Sequence, residues 1–447
     1  MHSGILLDAA EALVAAARRH GADAAEAIGR ASLSRGVAVR LGALEDIDAS
    51  ENREVGLRAF VGRRSASVSA ADLSPAGLEE LAERAVAMAR LAPEDPYAGL
   101  APPGALARGS VPELEIADDA DPTPEQLRER ALEIEDAARA VPGVTNSEGG
   151  SASASRAHAV LVTSAGFAGH YGGTAYSLSA SVIAGEGAGM QRDHAMRSAR
   201  HLADLPNPGE VGRLAGERAV ARLSPAAIRG GAMPVVFDRR VSASLVAHLL
   251  GAMGAPSIAR KSSFLAGRAD DAVFAPGIRI VEDPFKPRGM RSRPFDGEGV
   301  ACTPRTLVEG GRVTGWLTNV ASAAQLGLAL TGHASRGGSG APGVGAANVD
   351  LLGADETLEE MIADIADGIL VDYLIGQGVN PVTGDYSRGA AGRRIVNGRI
   401  GEPVAGFTIA GNLLAMFSGM RAANDRETWR AINAPSLRIE GMTVAGG

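Results

Sequence analysis

The chain reads as an α+β protein, with an N-terminal region of two α-β-α antiparallel-sheet layers followed by a β-dominated C-terminal domain. Three observations predict this. Twice before Pro225 a helical repeat and a set of alternating strand-like runs are followed by a helix with a capped start. After Gly231 short apolar strands alternate with long glycine-rich loops. The 447 residues include 58 glycines and only 4% aromatics, a composition suited to many turns and small-residue packing. A chain this long suggests two or three domains, and the punctuation places them at 1–110, 111–228 and 229–447.

Taken in order, Leu6, Ala10, Leu13 and Ala17 recur at helical spacing and Gly21 supplies a stop. From Ala24 to Ser69 short alternating runs predict an antiparallel meander, with turn-formers at Asn52 and Gly62. Ser74-Pro75 offers an N-cap and a favourable first residue for a helix to about Leu91, and PEDPYAGLAPPG closes the unit. Thr123-Pro124-Glu125-Gln126 carries a cap, a first-turn proline and a capping-box glutamine for a helix to about Ala140. Strands follow from Ser153 to Ile183, with breaks expected at Gly166, Gly172 and Gly173; Asn207-Pro208-Gly209-Glu210 then opens a helix to about Leu223. Beyond it PVVFD reads as a buried strand, and Asp238 is placed to cap a helix containing Val241, Leu245, Leu249 and Met253. GIRIVED, LVEGGRVTGWL and GILVDYLIG are the remaining strand candidates, with a glycine-rich loop at 336–348.

The formal charge of −8 provides no global attraction to nucleic acid or anionic membrane. Asp8 and Glu11 interrupt the first apolar run, so it reads as an amphipathic helix rather than a leader. No run approaches the roughly 18 consecutive apolar residues of a spanning helix. A soluble, cytoplasmic protein is expected. The lone Cys302 can form neither an intrachain disulfide nor a multi-cysteine metal site, which fits a reducing compartment.

Self-contained catalytic motifs are missing. There is no G-x-x-x-x-G-K-[ST] loop, and Gly376-Gln377-Gly378 lacks the third glycine and helix context of a dinucleotide fingerprint. Gly337-Gly338-Ser339-Gly340-Ala341 lacks the last glycine of a nucleophile elbow and lies in a loop, so Ser339 is read as structural. His194 and His201, in QRDHAMRSARH, are surrounded by Arg192, Arg197 and Arg200; that cationic setting opposes a divalent metal and favours a solvated or acid-binding face. His248 has no second ligand one turn away, and His333 is a loop histidine.

The segment Gly376 to Gly398, GQGVNPVTGDYSRGAAGRRIVNG, punctuates strand-like pieces with glycine and turn residues. Asn380 and Asp385 can satisfy turn amides, and glycine permits close backbone approach. Two surface hairpins are one reading; backbone open to pairing with another chain is the other.

Several separated stretches then agree in order. RAFVGRRSASVSAADLSPAGLEELAERAVAMARLAPEDPYAGL, SARHLADL at 198–205, DPFKPRGMRSRPFDGEG, GVNPVTGDYSRGAAG and INAPSLRIEGMTVAGG together resemble the TldD/PmbA family, also called peptidase family U62 and named for modulation of DNA gyrase. The match is to the PmbA, or TldE, branch and covers nearly the whole chain. In this family the TldD subunit carries an HExxxH motif on the helix after the first strand of the C-terminal domain, plus a late cysteine ligand. Set against that helix, SLVAHLLGAMG puts Ala247 and Ala252 at the histidine positions and His248 at the glutamate position, and no cysteine follows Cys302. The resemblance thus implies a chain with no catalytic or metal-binding residue of its own, paired with a zinc-bearing TldD-type subunit in a heterodimer that cleaves unfolded or ribosomally made peptides. It also implies a wall for extended peptide, for which Gly376, Gln377, Gly378 and Asn380 are the candidates. The alternative is a homodimeric binding, scaffold or modulator protein without proteolytic activity.

Overall fold

Long strands organise the N-terminal half of the computed structural model, which describes residues 2–446 except 270 and 339. The elements are α1 (His2–Arg19), β1 (Ala24–Arg40), β2 (Ala43–Val61), β3 (Arg64–Ala70), α2 (Pro75–Leu91), α3 (Pro124–Arg139), β4 (Val144–Thr163), β5 (Ala168–Ala184), β6 (Gln191–Ala199) and α4 (Pro208–Val220). Both α-β-α layers share one antiparallel sheet in the order β3-β2-β1-β4-β5-β6, because β1 pairs with β4 from Glu26↔Thr163 to Val39↔Gly150. At roughly 3.3 Å per residue, strands of 17 to 20 residues are long enough to carry two helix pairs along one face. On β1, Ala25, Ala27 and Ala31 pack with α1 and α2, and further along the same face Val37 and Val39 pack with α3 and α4.

The caps act as their residue types dictate. Ser74 accepts from the Gly77 amide, Thr123 and Gln126 form a reciprocal box, and Asn207 accepts from the Gly209 amide. Three turn positions differ from the sequence reading. Asn52 lies within β2 opposite Ser32, and the chain reverses instead at Leu41 and Gly42, both with positive φ. Gly172 and Gly173 lie inside β5, where added Cβ atoms would press on the His158 ring and the Arg200 guanidinium; they serve close approach rather than a break.

The C-terminal half contains β7 (Gly231–Phe237), α5 (Ala243–Ala252), α6 (Ala255–Ala259), β8 (Arg279–Asp283), β9 (Arg305–Glu309), β10 (Arg312–Val313), α7 (Val320–Leu326), β11 (Ala334–Ser335), β12 (Gly343–Val344), β13 (Asn348–Leu352), α8 (Leu358–Ile362), β14 (Asp367–Ile375), β15 (Asp385–Val396), β16 (Arg399–Asn412), α9 (Leu413–Ser418), β17 (Arg421–Ala422), β18 (Ile432–Asn433) and β19 (Leu437–Ala445). Strands β16-β15-β14-β7-β19 close into a barrel through β16–β19 pairing at Thr408↔Ala445, with β7 and β14 parallel. A second sheet, β10-β9-β8-β13-β18, shares its core through Val235, Phe237, Ile280, Leu307, Val349 and Ile369. The protein is thus α+β, with its β-dominated part C-terminal. Asp238 does not cap α5: its carboxylate accepts from the Arg240 amide in a local turn, and the helix begins at Ala243.

The N-terminal sheet face turned away from the helices meets the C-terminal half. Phe295 packs edge-on between Phe167 and Tyr171, with ring centroids at 4.9 and 5.4 Å, and Arg336 pairs with buried Glu26 at 2.8 Å. No helix among the described residues is long and apolar enough to cross a membrane.

One close approach can be tested directly. On α4, a Cβ at buried Gly212 would fall inside contact of the Ile134 carbonyl on α3. Gly212→Ala should therefore lower stability by about 1–3 kcal/mol in urea unfolding, whereas Gly104→Ala, which meets open space, should not.

Candidate functional site

Alternation along β6 turns Asp193 and Ala195 inward and leaves His194 and Met196 exposed. Asp193 is only 1% exposed, so its charge requires partners. Arg222, just past α4, reaches it at 2.6 Å and Arg240, between β7 and α5, at 2.7 Å. Arg222 also binds Asp372 of β14 at 2.6 Å. An irregularity in the β14–β15 register between Val371 and Tyr373 accompanies this placement, the usual way a bulge re-aims a side chain. Burial pushes the Asp193 carboxyl up, but hydrogen bonds and charge from Arg240 and Arg222 hold it down at about 2. Burial dominates at Asp372 and Asp238 and moves both above the ordinary aspartate value.

This network borders a cleft of about 320 Å³ between the two halves of the molecule. Arg197, Arg218, Arg240, Arg388 and Arg430 line it, opposed among the lining residues by the carboxylate of Asp372. Trp429 stands between two of them, with Arg197 4.9 Å and Arg430 4.6 Å from its ring. Burial, reinforced by Arg240, draws Arg218 down to about 10. His194, open to solvent on one side but partly desolvated by the cleft and so drawn below its usual value, stands edge-on to Tyr373, with ring centroids 6.5 Å apart.

The start of α5 supplies one wall through Val241, Ala243 and Ser244, and the positions suggested by the zinc motif follow along the same helix. Ala247 is exposed, Ala252 is buried, and His248 lies edge-on to Tyr386 at 6.2 Å. Burial lowers the His248 pKa and pushes Tyr386 up to about 12. The His248 Nε2 and the Tyr386 hydroxyl have no hydrogen-bond partner among the described residues. Two alanines offer no lone pair, and among the described residues no group of three or more His, Cys, Asp or Glu side chains is placed to hold a metal ion. The donor set at these positions does not fit zinc.

The glycine-rich segment makes two hairpin connections. Gly378 accepts from the Ser387 amide at 2.7 Å, and the Asn380 amide donates to the Asp385 carbonyl at 2.8 Å, so both close the β14–β15 turn. The Asn380 carboxamide oxygen accepts from the Val382 amide at 2.9 Å. Gly376 and Gln377 stay exposed, just beyond Leu374 of the cleft. Asn397 and Gly398, both with positive φ, make the second turn.

Other sequence candidates lie elsewhere. His333 is buried, 2.6 Å from Glu282 and 2.8 Å from the Thr331 hydroxyl. His201 bonds the Glu115 carbonyl at 2.8 Å. Cys302 is buried, and burial pushes its thiol up to about 11, an unreactive setting. Ser339 lies outside the described residues. Asp193, Arg218, Arg222, Arg240, Arg388, Arg430 and Trp429 were not singled out from sequence; the arginine-rich run around His194 was the available signal.

The depressed Asp193 pKa stabilises the fold above the ordinary carboxylate range, and that contribution is lost as pH falls through about 2. Asp193→Asn should cost about 3 kcal/mol at neutral pH. In urea titrations the gap between the two proteins should narrow by about 2 kcal/mol from roughly pH 5 to pH 2; a gap independent of pH would mean that the Asp193 charge is not what is stabilised.

Comparison with known proteins agrees with this architecture. Residues 25–89, 117–223 and 230–446 match the first, central and C-terminal domains of the PmbA/TldA metallopeptidases. The chain is 36% identical to Metalloprotease PmbA of Escherichia coli O157:H7 over 92% of its own length and 89% of that protein. It is 33% identical to a Metalloprotease PmbA homolog of Haemophilus influenzae, covering 96% and 94%. The crystal structure of TldE from Thermococcus kodakarensis shares the fold, with a TM-score of 0.85 at 22% identity over 98% of this chain and all of that one. This chain belongs to the PmbA/TldD metallopeptidase family.

Proposed function

We propose that the chain is the zinc-lacking, PmbA/TldE-type subunit of a heterodimeric metallopeptidase, working in the cytoplasm with a TldD-type partner that supplies the zinc and activates water. The observation that carries this reading is α5, the helix after the first strand of the C-terminal half, where the resemblance sets the family's zinc motif: it carries Ala247, His248 and Ala252. A lone imidazole packed on Tyr386 cannot replace two histidines and a carboxylate. What this chain contributes is shape and charge: an arginine-lined cleft beside α5 and, next to it, the exposed backbone of Gly376 and Gln377, suited to extended peptide made by the ribosome or left unfolded.

A second surface supports the need for a partner. β3 pairs with β2 only from Val55 onward, so among the described residues the outer edge of β2 from Ala43 to Glu54 is unpaired. Residues 43–52 are all exposed, including Leu44 and Ile47 at 45% and 52%. A long edge of this kind invites docking by another chain.

Coexpression with an HExxxH-bearing family member tests the reading. Purified alone, the chain should hold far less than one zinc and leave an unstructured peptide intact; with the partner, cleavage should appear and vanish with chelator. Near-stoichiometric zinc in the isolated chain, or a stable homodimer with no effect on the partner's cleavage, would overturn the proposal. Ile47→Lys should leave thermal unfolding of the isolated chain unchanged and weaken association by about tenfold or more in ultracentrifugation.

A further inference from the structure

We infer that the arginine-lined cleft between β6, α5 and β14 is a carboxylate subsite for peptide, receiving a C-terminal carboxylate or an Asp or Glu side chain. The inference rests on the peptide-handling role proposed above. Two of the cleft arginines have no carboxylate partner among the described residues. Arg218 donates to the His194 carbonyl at 3.1 Å and has no carboxylate at ion-pair distance among the described residues. Arg388 likewise makes no ion pair among the described residues, and its Nε is buried without a hydrogen bond. Two of their neighbours, by contrast, are ion-paired, Arg240 with Asp193 and Arg197 with Glu427 at 3.7 Å; Arg430 lies over Trp429 and donates to the Arg240 carbonyl at 2.9 Å. Asp193 and Asp372 are already bound by Arg222, so they are poorly placed to neutralise Arg218 and Arg388.

Holding half-buried guanidiniums without a counter-charge is costly, and a carboxylate relieves that cost while matching the planar fork with two parallel hydrogen bonds. The remaining lining favours a peptide carboxylate over a bare inorganic anion. Tyr373, Leu374, Val241 and Trp429 offer apolar surface to the residue that carries the charge, and the volume is near the lower end of small-ligand sites. Leu374 leads directly to exposed Gly376 and Gln377, so a peptide extended along that edge would bring an end or a side chain to the arginines.

The test uses the full chain without any partner, so it does not depend on catalysis. The chain has two tryptophans, and in a Trp316→Phe background Trp429 fluorescence reports on the cleft wall. Four probes are compared: N-acetyl-trialanine with a free carboxylate, its C-terminal amide, N-acetyl-Ala-Glu-Ala amide, and inorganic phosphate. Saturable binding of the free acid or of the glutamate peptide, but not of the trialanine amide, is expected, and which of the two binds tells chain end from side chain. Arg218→Gln and Arg388→Gln should each weaken it by about tenfold. Neither change strands a buried acid, and matching thermal unfolding curves will show that both variants fold. Equal binding of acid and amide, binding of phosphate alone, or no binding would overturn the inference. Failure here alongside zinc-dependent cleavage by the two-chain complex would remove the subsite and leave the subunit role standing; carboxylate binding without cleavage by the pair would do the reverse.

Discussion

The buried carboxylate of Asp193 is the point on which the cleft depends. It lies on an edge strand of the N-terminal sheet, yet one of its two arginine partners comes from the end of α4 and the other from the turn leading into α5. Through Arg222 the same network reaches Asp372 on the barrel. A buried ion pair contributes little net stability against a well-packed apolar alternative, because desolvation offsets most of the attraction. What it does enforce is geometry, since any relative shift of the two halves would leave a charge unpaired in a poorly solvated place. The network thereby fixes β6 against α5, and with them the distance across the cleft.

α5 shows how one scaffold separates two tasks. The helix is held by Leu245, Val246, Leu249 and Ala252 in the barrel core, while Ala247 is exposed and His248 half-buried. The exposed Ala247 and the half-buried His248 thus stand apart from the packing that holds the helix, and the helix start is available to line the cleft. His248 is the residue left in an unusual position, with a ring nitrogen that lacks a hydrogen-bond partner among the described residues and its ring edge-on to Tyr386. Such groups are uncommon in folded proteins and tend to cluster where a polar ligand or strain has a role.

Local signals in the sequence translated well into structure, and non-local ones did not. The caps at Ser74, Thr123 and Asn207 are interactions over two or three residues and were legible as such. The α+β class was legible too, from the change of pattern after Gly231. The fusion of both α-β-α layers into a single sheet was not, because it depends on β1 pairing with a strand more than a hundred residues later. Gly172 and Gly173 misled for a related reason: the side chains that demand their lack of a Cβ, His158 and Arg200, come from other strands or from beyond the sheet. The resemblance pointed to Ala247, His248 and Ala252 on α5, but the ion network beside the cleft joins residues 193, 222, 240 and 372, whose convergence no spacing encodes.

The arginine-rich run around His194 illustrates the limit most clearly. As a sequence it reads as one solvated or acid-binding face, yet its three arginines diverge: Arg192 to Glu148 at 3.3 Å, Arg200 to backbone carbonyls including that of Gly289 at 3.3 Å, and only Arg197 to the cleft. The positive lining is completed by arginines from α4, the turn before α5, β15 and the segment before β18. The whole chain nevertheless carries a formal charge of −8. At physiological ionic strength fields decay over about 8 Å, so the cleft cannot draw acidic groups from a distance against that background. It acts at contact, where desolvation makes each guanidinium strong, and so favours retention of a carboxylate already delivered by an extended chain over capture of free anions from solution.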